Sequence, residues 1–231
     1  MAAPGSDVEG PDVGGPGGAP RGRQRRVALV EAAAGLLSEG GPEAVTARAT
    51  ARAAGLPLAA VSYHVEDVAT LVREGADLLL DRLEEQVRRR VERPAPGAAH
   101  DPAGRLLAAA LVDLVLGSYA GRGPDGVRAL YARTLELSDD PALAGRLRRF
   151  DAACAEGVRA LLAAAGRRTD AARAVLALVD GWLVAALVAG GSGSGTGTAG
   201  AGDDGDRTDL AGWAAERLAP GLVALAPPTH P

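Results

Sequence analysis

The run from Thr46 to Val65 constrains this chain more than any other stretch of it. The Thr46 hydroxyl is placed to accept from an unpaired first-turn amide, which starts a short helix over about 46–53. Gly55 permits a tight turn. Pro57 can open a second short helix, where its missing amide proton costs little. That second helix presents Ser62, Tyr63 and His64, and the pair reads as a helix-turn-helix DNA reader. Its place near the N-terminus, ahead of a longer apolar body, suggests a sensor coupled to a DNA switch.

The rest of the chain reads as helices with no convincing strand, so the expected class is all-α. Residues 1–20 are a Gly/Pro-rich tail expected to be disordered. A DNA-binding head of three helices is expected over 21–67, its first helix at about 25–39 with Val27, Val30, Ala34 and Leu37 on one face. A helical body for effector binding and dimerisation follows over 68–225, and 226–231 form a tail. Asp67 caps a long helix reaching about Arg90, with Leu71, Val72, Leu79 and Leu83 inward. Further helices run from Asp101-Pro102 to Tyr119, over 124–138, from Asp140-Pro141 onward, and over 170–189. Residues 190–207 read as a flexible Gly/Ser/Thr and Asp-rich loop. A last helix covers about 208–218, which Pro220 ends or kinks.

Charge is distributed unevenly. The net charge is −4, yet residues 21–65 carry six arginines against three glutamates, which leaves −7 for the remainder. A positive end on an acidic body suits a protein that meets phosphate with one end only. No apolar run is long enough to span a membrane, and the N-terminus lacks a signal core, so a cytoplasmic protein without a membrane partner is expected.

Catalytic constellations are missing from the sequence. Ser62 and His64 stand two apart on a helix and face different sides, so they are not a nucleophile–base pair. The three histidines are scattered at 64, 100 and 230, and the single Cys154 excludes a cysteine-built zinc site. No enzyme activity, metal or cofactor is expected.

The array of arginines before the first helix, Ala32-Ala33, Leu36-Leu37, Gly40-Gly41, Val45-Thr46, Ala51, Ala54-Gly55-Leu56 and Val61 through Val65 resembles the TetR family of bacterial transcriptional regulators. The resemblance covers about residues 23–80. It implies that 57–64 form the recognition helix in the major groove, where Leu58 or Ala59 meets thymine methyls. Ser62, Tyr63 and His64 would donate to phosphates, Thr46 and Arg48 would hold the flanking backbone, and the arm of Arg21, Arg23, Arg25 and Arg26 would reach phosphate or a minor groove. Three positions depart from the family pattern. Val68 stands where a lysine is usual, Glu66 adds a negative charge, and Thr50 replaces a larger apolar residue.

The same resemblance implies a homodimer packed through the last two helices, with Val175, Val179, Leu183, Leu187, Trp213 and Leu218 as the expected interface. The middle helices would enclose a small, largely apolar effector, with Tyr119, Tyr131, Thr134 and Trp182 as candidates to orient it. The function implied is a regulator, most simply a repressor, that binds a near-palindromic double-stranded DNA operator and is released by that effector. The competing expectation is an all-α ligand- or partner-binding dimer whose DNA head has decayed.

Overall fold

The computed structural model describes residues 18–93, 96–190 and 210–229. Of the expected tail over 1–20, residues 1–17 lie outside the described residues, as does nearly all of the expected loop over 190–207, whereas 18–20 are helical and not a tail. Among those described, nine α-helices form the molecule, and the sole extended pairing is a bridge between Arg167 and Pro228.

The head comprises α1 (Gly18–Gly40), α2 (Ala47–Ala53) and α3 (Leu58–His64). The arginine arm is therefore not a tail but the first turns of α1. The inward face of α1 is Leu29, Ala33, Ala34 and Leu37, whereas Val27 is 57% exposed, which corrects the expected stripe by a rotation toward Leu29. Thr46 caps α2 as its sequence requires, its Oγ1 accepting from the Ala49 amide at 3.1 Å. Gly55 takes φ +65°, the left-handed conformation that lets the chain reverse between α2 and α3 within four residues. Val45, Ala51, Val61 and Val65 close the small core against α1.

Asp67 caps α4 (Val68–Glu92) by accepting from the Thr70 amide at 2.6 Å. At 25 residues this helix is about 38 Å long, enough to belong to head and body together. It packs on α1 and on α7 (Pro141–Ala164). Gly75 makes the first contact close. A Cβ there would stand 3.0 Å from the Ala34 amide nitrogen and from Leu37.

The body adds α5 (Arg105–Leu116), α6 (Gly123–Ser138), α8 (Ala172–Gly190) and α9 (Leu210–Leu225). The expected helix from Asp101 to Tyr119 is shorter at both ends, because Gly104 and Gly117 take positive φ and Gly117–Arg122 tightens into a 3-10 turn. Pro220 does not stop α9. Leu218, Ala219 and Leu222 bury on its inner side, and that packing sustains the helix although proline lacks an amide donor. The chain end is docked too: the Thr229 amide donates to the Gly166 carbonyl at 2.9 Å, and Arg167 reaches the Ala226 carbonyl at 3.2 Å.

Candidate DNA interface and effector body

The sequence-proposed DNA residues share one property, access to solvent. Arg25, Thr46, Arg48, Leu58, Ala59 and Ser62 are exposed, Tyr63 is 83% exposed, and His64 is half-buried. An exposed leucine and tyrosine on a seven-residue helix bury nothing within the chain, so the fold gives their side chains no internal role. The Tyr63 and His64 rings meet edge to face, with centroids 4.8 Å apart, which limits the ways Tyr63 can lean.

One arm residue is spoken for. Arg26 donates to the His64 carbonyl at 2.6 Å and pairs with Glu74 of α4. The guanidinium therefore satisfies the C-terminal end of α3 and ties α1, α3 and α4 together. This removes Arg26 from the expected phosphate contacts and makes it the residue that fixes the pose of α3. Arg82 pairs with Glu31, a second strap between α4 and α1.

Two further clamps join α4 to α7. Arg73 donates to Asp140 at 2.8 Å, while Asp140 caps α7 through the Ala142 amide. Arg73 and that amide together hold the Asp140 carboxyl below its usual range. Arg146, 6% exposed, inserts among Asp77, Asp81 and Glu84, donating to Asp81 at 2.6 Å and to Glu84. These carboxylates sit at i, i+4 and i+7 on α4 and converge on one buried cation.

The expected effector residues do not form one group. Tyr119 is 2% exposed, hydrogen-bonded to Ser38 of α1 and stacked under Arg122 at 5.1 Å, so it belongs to the seam between body and head. Thr134 is exposed and its hydroxyl returns to the Leu130 carbonyl at 2.9 Å, as helical threonines do when no other acceptor is near. Trp182 is half-buried against the core. Tyr131 alone is committed to an unforeseen partner, Asp180 of α8, its hydroxyl donating at 2.6 Å. Burial raises the Asp180 carboxyl above its ordinary range. Cavities open elsewhere, one of about 380 Å³ between Gln86, Arg89, Arg90, Arg93, Asp113 and Gly117, and one of about 450 Å³ around Arg167, Arg168 and Thr229.

The expected dimer residues need correction as well. Val175, Val179 and Leu183 of α8 and Leu218 of α9 are at most 1% exposed, because α8 and α9 turn them into the chain's own core. Leu187 is half-buried, and the Trp213 side chain lies outside the described set. The face of α8 that remains open carries Ala177, Gly181, Val184, Ala185 and Val188, with Val184 44% and Val188 72% exposed.

Among the described residues no group of histidine, cysteine or carboxylates could hold a metal, and no helix is long and apolar enough to cross a membrane.

Comparison with known proteins completes the site. Residues 102–220 match the family described as tetracyclin repressor-like, C-terminal domain. The multidrug binding protein EbrR, solved with malachite green, is 27% identical over 88% of this chain and 99% of that one, with a TM-score of 0.53. A TetR-family member from Streptomyces coelicolor A3 is 26% identical over 88% and 99%, with a TM-score of 0.51. A transcriptional regulator from Rhodococcus sp. Rha1 is 22% identical over 87% and 97%, with a TM-score of 0.56, and at that identity it shows a shared fold alone. Among curated proteins there is no match.

Proposed function

The chain belongs to the TetR family of transcriptional regulators, a family of DNA-linked switches rather than enzymes, and from that premise we propose that it is a homodimeric repressor of a near-palindromic operator, released by a small organic effector. The observation that carries the reading is the exposed recognition helix, whose Leu58, Ala59, Ser62 and Tyr63 have no partner within the chain's core. Leu58 and Ala59 suit thymine methyls, Ser62 and Tyr63 suit phosphate oxygens, and Thr46, Arg48 and Arg25 flank them on the neighbouring helices. His64 joins them through its ring edge, its carbonyl being held by Arg26. A regulator of this kind works where the DNA is, in the cytoplasm.

Two heads must sit about 34–36 Å apart to enter successive major grooves. The open small-residue face of α8, from Ala177 to Val188, supports a second copy there in place of the buried Val175–Leu183 stripe. An effector that prefers one arrangement of the body shifts α4 against α7, and α4 carries α1 and α3 with it through Glu31, Glu74 and Arg26. EbrR's description as a multidrug binding protein supports a largely apolar organic effector for this body.

Exposed Glu66 and Val68 favour a second reading, a ligand-binding dimer with a decayed head, since both withhold attraction from the backbone beside α3. Titration of the purified protein against DNA upstream of its own gene, over a salt series, separates the two. A repressor binds with a log–log slope of several units. Affinity that is weak and indifferent to sequence would sink the repressor reading.

A further inference from the structure

Among the described residues two arginines are buried, and they are served in opposite ways. Arg146, 6% exposed, has three carboxylates of α4 around it. Arg167, in the turn between α7 and α8, is 3% exposed and pairs with none among the described residues. Its guanidinium donates only to backbone carbonyls, those of Ala226 and Asp101 at 3.2 Å and that of Pro102 at 3.4 Å. These bonds are long for a charged donor, which closes to about 2.7–2.9 Å on an ionised acceptor. Three carbonyls also leave part of the five-donor guanidinium without a bond inside the described chain. Neutral carbonyls satisfy direction but leave the buried charge without a counter-ion.

The acids beside Arg167 are committed elsewhere. Asp170 is held by Arg168, and the Asp101 carboxylate accepts from the Leu106 amide at 2.7 Å at the start of α5. Arg167 itself forms part of the wall of a cleft of about 450 Å³, with Ala163, Gly166, Thr169 and Thr229 around it. Arg168 and Asp170 line the same cleft as a closed pair, so Arg167 leaves it one net positive charge. A Cβ on Gly166 would meet nothing within 4 Å, so the space beside the turn is open. The Thr229 hydroxyl closes one side by donating to the Gly166 carbonyl at 2.9 Å, while half-buried Thr169 offers a hydroxyl to the cleft.

We infer that the cleft at the α7–α8 turn is a binding site for a small oxyanion, a phosphate or carboxylate group, with Arg167 as its counter-ion. The ligand takes the guanidinium donors that the carbonyls leave over, and the Thr169 hydroxyl is a second donor to it. The site is apart from the head and does not depend on the repressor reading. Arg167 already joins the α7–α8 turn to the segment before α5 and to the chain end after α9. An oxyanion held there braces all three against one another, so its effect is on the stability of the body.

The test titrates the full chain with sodium phosphate and with sodium acetate in a calorimeter, using chloride to hold the ionic strength constant. At least one of the two should bind saturably at roughly 1 mM or tighter, and the tighter one names the kind of group recognised. Ala163→Glu, at an exposed helical position on the cleft wall, places a carboxylate in the site without touching Arg167. It should lose at least about tenfold in oxyanion affinity while its melting temperature in chloride and its operator affinity stay native. Arg167→Gln should abolish binding, and if that variant does not fold, Ala163→Glu decides alone. Binding of neither ion, full competition by chloride at equal ionic strength, or native oxyanion affinity in Ala163→Glu would overturn the inference. A chain that ignores DNA yet binds the oxyanion through this cleft keeps the inference and loses the repressor reading.

Discussion

At the scale of single residues, exposure and hydrogen-bond supply decide who is free to act. Tyr63 stands 83% exposed and contacts His64, so its hydroxyl is available to a phosphate. Tyr63→Ala should weaken operator and non-operator DNA alike by roughly tenfold, about the 1–1.5 kcal/mol of one hydrogen bond, and a gel-shift titration measures it. A loss confined to the operator would assign Tyr63 to base readout instead. Thr50 illustrates the opposite case. It is fully buried in the head and its Oγ1 has no partner, which gives physical content to its departure from the family pattern. Thr50→Val keeps the shape and removes the stranded hydroxyl, so the protein should gain about 1 kcal/mol and melt roughly 2–4 °C higher. Thr46, Gly55 and Asp67 act in the structure as their sequence chemistry requires, because caps and turns depend on neighbours a few positions away. Arg26 and Asp180 were illegible for the converse reason. Their partners, His64, Glu74 and Tyr131, are 38 to 49 positions distant, and only the tertiary fold brings them together.

Whole elements were legible where a local signal bounded them. The starts of α2, α4 and α7 follow from Thr46, Asp67 and Asp140. The ends of α5 and the persistence of α9 through Pro220 were not, since packing against the core outweighed local propensity there. The acidic spacing of Asp77, Asp81 and Glu84 could have announced a cation reaching across from a neighbouring helix, because three carboxylates stacked along one helix face repel one another without one. Arg146 is that cation. Arg146→Met would leave all three unneutralised beside one another, and because Asp77 and Asp81 remain in water it should lower stability by about 1–2 kcal/mol in a urea titration. Adding Asp81→Asn to that variant should recover part of the loss. Most of the residues expected at a dimer interface lie on faces of α8 and α9 that the chain itself covers. A four-residue apolar stripe shows that one side of α8 is buried but not by what, and here the chain itself covers Val175, Val179 and Leu183. The discriminating substitution is accordingly Val184→Arg on the open face. It should leave the fold intact, halve the mass seen by light scattering and reduce operator affinity with it, since a single head forfeits the second half-site.

At the scale of the whole molecule, charge and packing divide the work. The arginine-rich head is the end proposed to meet the phosphate backbone, most arginines of the acidic body stand in internal pairs, and α4 runs between them with clamps at Glu74, Arg73, Arg82 and Arg146. This sharing of α4 has a consequence for how the molecule comes apart. The inner face of α1, from Leu29 to Leu37, is sealed by Leu71, Gly75 and Ala76, and the opposite side of the same helix is sealed by α7. Neither half can lose its partner while the other stays intact. In native-state hydrogen exchange the amides of α1 and α4 should then open with one common free energy, not with a low value for the head and a high one for the body. Distinct values would mean that the long helix frays between its two roles. A common value would make the reader and the sensor a single cooperative unit, in which every kilocalorie gained in the body is also held by the DNA-facing end.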